Sequence, residues 1–238
     1  MIQKTKKNMK IKTYSILFIM LAYCFPLNAA EESTTTKNFQ LSIWAPKQIQ
    51  DSSTSICGVR LSLFYGINED VCGLDFALLG VNRTNGEFKG FQYALGGNCT
   101  QGDVTGAQWS LVNTGNNVAG WQDGLVNMAN GNFVGLQGGG VNITKGDFKG
   151  WQHGLLANIT KGNFVGLQSN WICNIVKGDT TGVQFALFYN ASAEMKGLQL
   201  GLVNIAEDLN GVQLGLVNII NSRNNPPFYF LPLLNVSF

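Results

Sequence analysis

Apolar and polar side chains alternate with a period of two along most of this chain, and the pattern restarts every 14 to 17 residues. From Gly211 to Asn218 it reads Gly-Val-Gln-Leu-Gly-Leu-Val-Asn, and Gly197 to Asn204 and Gly120 to Asn127 repeat that phrase with one or two changes. The first glycines of successive copies are Gly58, Gly73, Gly90, Gly106, Gly120, Gly135, Gly150, Gly166, Gly182, Gly197 and Gly211. A period near 15 is too short for helix-pair repeats, and glycine inside a helix costs about 1 kcal/mol relative to alanine. The repeat unit is therefore extended chain.

Polar segments containing glycine separate the copies, among them Thr84-Asn85-Gly86-Glu87, Thr144-Lys145-Gly146-Asp147 and Thr160-Lys161-Gly162-Asn163. Glycine adopts the positive φ of a tight reversal without steric cost, and Asn-Gly between alternating runs signals a hairpin. With a hairpin turn at Thr144 to Asp147, Ile143 faces Phe148 and Val141 faces Gly150. Odd offsets from the first glycine then meet odd, and even meet even, so each face keeps its own side chains around the sheet. Offsets one, three and five make an oily face, as in Phe91, Tyr93 and Leu95. The opposite face holds the glycines and Gln92, Gln108, Gln122, Gln137, Gln152, Gln168, Gln184, Gln199 and Gln213. It also holds the turn-flanking Phe133, Phe148, Phe164, Ile143 and Ile205.

This pattern predicts an all-β fold, an antiparallel up-and-down β-barrel of about twelve strands in an outer membrane. The stretch from Phe148 to Asn158 rises about 37 Å, or about 26 Å when tilted by about 45°, close to the apolar band of such barrels. The nine glutamines would face the lumen, and Phe91, Trp109, Trp121 and Trp151 would anchor at the membrane interface. The third offset runs Asp123, Gly138, His153 and Ser169. This polar patch on the oily face suits a homo-oligomer or an envelope partner protein, with outer-membrane lipid covering the rest.

The alternative is a parallel β-solenoid in which each repeat is a coil and Gln and Asn stack into ladders, serving as a secreted or surface-attached adhesin or binding rod. Cysteines discriminate between the two. Cys57 and Cys72 each precede the first glycine of adjacent copies. In a solenoid they are neighbours able to bridge; in a hairpin they lie at opposite strand ends, beyond the ~7 Å Cα limit. Cys99 and Cys173 complete the set that follows the leader, and no disulfide pairing is fixed by sequence alone.

Residues 1–30 have the form of a secretory signal peptide: five lysines to Lys12, an apolar run from Tyr14 to Leu27, then Asn28-Ala29-Ala30. A polar lead follows over 31–38, and 39–238 is expected to form one repeat-built β-domain closed by an apolar strand at 228–238, from Phe228 to Phe238. The chain has 16 Lys plus Arg against 14 Asp plus Glu. Without the five lysines of residues 1–30, 11 stand against 14, which leaves no basic footprint for nucleic acid. Charged residues make up only 13% of the chain, about half the usual share, so something other than water is expected against much of the surface.

The Gly-x-Gln-x-Gly-Leu-Val-Asn units, with Leu41-Ser42-Ile43-Trp44-Ala45-Pro46 before them and Leu231-Pro232-Leu233-Leu234-Asn235-Val236-Ser237-Phe238 after, resemble a bacterial surface-repeat family. That resemblance, over roughly 39–238, implies a cell-envelope location and supplies no catalytic residues. The copies at Gly58 and Gly73 lack the Gln, and the copy at Gly166 departs at Ser169-Asn170-Trp171-Ile172. No enzyme is expected. His153 is the single histidine, no motif places a nucleophile, and no helix follows the glycines to make a phosphate loop. The cysteine spacing suits no metal, and no cofactor is implied.

Overall fold

The computed structural model describes residues 35–221 and 230–237, and all of its regular structure is β-strand. The expected leader over 1–30, Phe228 and Phe238 lie outside the described residues. The expected polar lead ends within a strand, Thr36–Trp44.

Successive copies pair parallel. Phe133–Thr144 lies on Phe148–Thr160 with Gly135 opposite Gly150, Gln137 opposite Gln152 and Asn142 opposite Asn158. The antiparallel barrel, its transmembrane strands and its lumen are therefore overturned in favour of a β-solenoid. The turns show why. Lys145 N–H donates to Ala129 O and Gly146 N–H to Gly131 O, both 2.9 Å, so Thr144 to Asp147 bonds to the turn of the preceding coil and not across its own reversal. The chain turns a corner there and comes back one strand spacing along, about 4.8 Å.

The described residues form two compact units, one of residues 35–103 with 108–114 and one of 104–107 with 115–221 and 230–237. In the first, Thr36–Trp44 runs parallel to Ser55–Asn68, and Lys47–Gln48 folds back antiparallel on it. Coils follow in register, with Gly58, Gly73 and Gly90 aligned and Asn82, Asn98 and Asn113 aligned. Cys57 and Cys72 form a disulfide with Cα atoms 4.5 Å apart, as the solenoid alternative requires. The two copies without Gln put Arg60 and Asp75 in its place. Both are fully buried, with Arg60 Nε 2.7 Å from Asp75 Oδ1 and Nη2 2.6 Å from Oδ2. Gln92 Nε2 donates to Asp75 Oδ2 at 2.7 Å, and Gln108 Nε2 to Gln92 Oε1 at 2.9 Å.

In the second unit the coils run from Val118–Ala129 to Val203–Ile220, and Phe230–Ser237 pairs antiparallel with the last of them. Its interior is a polar ladder. Gln137, Gln152, Gln168, Gln184, Gln199 and Gln213 each donate from Nε2 to the Oε1 of the preceding glutamine at 2.7–3.0 Å. A parallel file runs from Asn127 to Asn218 through bonds of 2.8–3.0 Å. Beside them Phe133, Phe148 and Phe164 stack with centroids 4.9 and 5.1 Å apart. Ile143 and Ile205, expected beside them, instead lie half-buried on the outer side of the second strand. The first glycine of each copy permits the close stacking. Gly150 has φ +137°, and a Cβ there would collide with Gly135 O.

Candidate functional site

With the interior filled by amides and phenyl rings, chemistry directed outwards belongs to the coil surface. All nine glutamines from Gln92 to Gln213 are buried core residues, 0–1% exposed, and face no open lumen. The odd offsets point outwards. Trp109, Trp121 and Trp151 are 41–51% exposed, while Phe91 is half-buried and leans on Phe76 with centroids 6.0 Å apart.

Asp123, Gly138, His153, Ser169 and Phe185 follow one another on successive coils of the second unit. His153 Nδ1 lies 3.0 Å from Ser169 Oγ, and Trp151 Nε1 donates to the same Oγ at 3.0 Å. An indole can only donate, so Ser169 Oγ accepts from Trp151, and its second lone pair or its own hydrogen serves the contact with His153 Nδ1. Asp123 stands two coils from His153, about 10 Å along the ladder, with side-chain-free Gly138 between them. Desolvation raises its carboxyl above the ordinary aspartate value, opposed by a hydrogen bond from Trp121 and the charge of His153. The three polar residues thus share one file, but the carboxylate does not orient the imidazole of a Ser-His pair as a hydrolytic triad requires.

Next to Ser169 the coil breaks its pattern. Asn170 occupies a position that is Gly154 one coil earlier, and its Oδ1 accepts Ile172 N–H at 2.8 Å. There the chain passes from Phe164–Asn170 to Cys173–Val176, as the next coil passes from Thr180–Ala186 to Tyr189–Leu200, and Trp171 projects, 63% exposed. A cavity of about 220 Å³ opens beside it, lined by His153, Ser169, Asn170, Trp171, Phe185 and Leu187. Comparison of the chain with protein-family models, curated proteins and solved structures finds no match. The irregular Ser-Asn-Trp-Ile tetrapeptide was the sequence signal for this cavity; Phe185 and Leu187 carried none, because they fit the repeat.

The second unit also separates charge from oil. Among its described residues, every Asp, Glu and Lys except Asp123 lies at a turn position of the repeat or within two residues of one, including Lys145, Lys161, Lys177, Asp147 and Asp179. On this turn edge Asn132, Asp147 and Asn163 accept a backbone N–H from the next coil at 2.7–3.0 Å. The opposite edge presents Leu125, Leu155, Trp171, Leu187, Leu202 and Leu216, all exposed. Cys173 is half-buried, and burial pushes its thiol up, away from the reactive thiolate. Among the described residues no cluster of His, Cys, Asp and Glu suits a metal ion.

Proposed function

We propose that this protein is a non-catalytic, surface-attached β-solenoid of the bacterial cell envelope that binds lipid through the leucine-bearing edge of its coils. The observation that carries this reading is the division of the second unit into a charged turn edge and an apolar edge that carries no charge. Contiguous exposed apolar surface of this kind suits a partner that removes it from water. Lipid is favoured because no charge interrupts the apolar edge. Trp121 and Trp151 also lie between that edge and the charged one, the level at which tryptophan sits in a bilayer interface. The resemblance of the Gly-x-Gln-x-Gly-Leu-Val-Asn units to a bacterial surface-repeat family supports the envelope location.

Flotation with phosphatidylcholine vesicles tests this. The chain should rise with the vesicles, and Leu155→Ser with Leu216→Ser should weaken partitioning roughly thirtyfold, about 1 kcal/mol for each half-exposed leucine. Lys161→Ser, on the opposite edge, should leave flotation unchanged. Retention of the wild-type chain in the vesicle-free fraction would sink the proposal.

A further inference from the structure

The cavity beside Trp171 is almost wholly apolar in its lining, and its residues are ordered along the coil. Trp171 and Leu187 belong to the leucine edge, whereas His153, Ser169 and Phe185 lie two residues closer to the charged edge. A group entering from the leucine edge therefore meets hydrocarbon first and the imidazole last. At about 220 Å³ the cavity is smaller than the roughly 300–1,000 Å³ of pockets that enclose a whole drug-sized ligand, so it houses part of a longer molecule.

We propose that this cavity binds a segment of a single fatty-acyl chain of an ester lipid, which reaches the His153 ring at the inner end of the cavity. The hydrocarbon lies between the Trp171 indole and Leu187, against Phe185. Neither Lys nor Arg lines the cavity, which suits an uncharged ester better than a free carboxylate. This inference rests on the lipid-facing reading of the same edge, and it assigns that edge one specific subsite where the rest offers only apolar area.

The full chain, labelled with ¹⁵N histidine, would be titrated with 1-dodecanoylglycerol below its micelle threshold. His153 is the only histidine, so its ring-nitrogen signals need no assignment. The expected result is a saturable shift of the His153 ring-nitrogen signals at one ligand per chain. Ser169→Phe, which fills the inner part of the cavity and leaves every residue of the leucine edge in place, should weaken this binding at least tenfold and leave vesicle flotation as in the wild type. Absence of a saturable shift, or equal affinity in Ser169→Phe, would overturn the site. A shift that survives in a chain that does not float would support the cavity as a site for free single-chain esters and reject membrane lipid as its source.

Discussion

Arg60 and Asp75 occupy rungs where later copies carry glutamine, and the ladder continues through them because Asp75 accepts from both Arg60 and Gln92. Removing one partner leaves a buried charge uncompensated. Asp75→Ala should therefore cost about 3–5 kcal/mol, seen as a lower urea midpoint. Arg60→Gln with Asp75→Gln should restore a run of amides and fall within about 1 kcal/mol of the wild type; an equally large loss in the double variant would mean that the charges themselves are required. Asp123 gives a pH prediction. Its carboxyl is raised in the folded state, so the folded chain holds the proton more tightly than the unfolded one. Its contribution is fully present below the ordinary aspartate value of 3.8 and is lost as pH rises through the raised value. Asp123→Asn should flatten the stability profile above pH 3.8, and a profile unchanged in the variant would contradict the shift. At this scale sequence was informative: alternation alone identified the glutamines and glycines as one face, and the tryptophans as the other. It did not show that an ion pair could replace two rungs, since Arg60 and Asp75 lie 15 residues apart and only the fold makes them neighbours.

For strands, the alternation carried everything except direction. Antiparallel hairpins and parallel coils both match odd offsets with odd, so side-chain parity cannot separate them. The glycine turns misled for a physical reason: Gly146 and Gly162 are not at positive φ but sit where a Cβ would collide with the turn of the preceding coil, and only the destination of the turn's N–H groups distinguishes a corner from a hairpin. The cysteines could distinguish them, and the Cys57–Cys72 bond does. With 15 residues between them, this cross-link constrains one repeat of the unfolded chain and is expected to contribute about 3 kcal/mol. Cys57→Ser with Cys72→Ser should lower the thermal midpoint of the first unit, whereas a midpoint equal to that of the oxidised wild type would show that the bridge adds nothing. Peptide mapping under non-reducing conditions would check the pairing directly.

The described residues keep rows of amides inside beside a column of phenylalanine and valine, and display leucine and tryptophan outside. Low charge content signalled the exposed oil in the sequence, but assigning it to a lipid-spanning wall required a closed sheet that the coils do not make. The cavity was legible only as a lapse in the repeat at Ser169 to Ile172, because its walls come from three coils.

Every coil of the second unit offers the next one an identical set of amide donors and acceptors, and such a lattice has no inherent length. Phe230–Ser237 breaks the symmetry. It runs against the direction of the coils, Asn218 Nδ2 donates to Leu231 O at 3.1 Å, and Asn235 Nδ2 donates to Gln213 Oε1 at 3.2 Å. This strand acts as a chain terminator, in the sense a polymer chemist would use. Truncation after Asn221 should expose a templating end and yield filaments with the cross-strand repeat of about 4.8 Å in fibre diffraction. A truncated chain that sediments as a stable monomer would mean that the last coil is capped by other means.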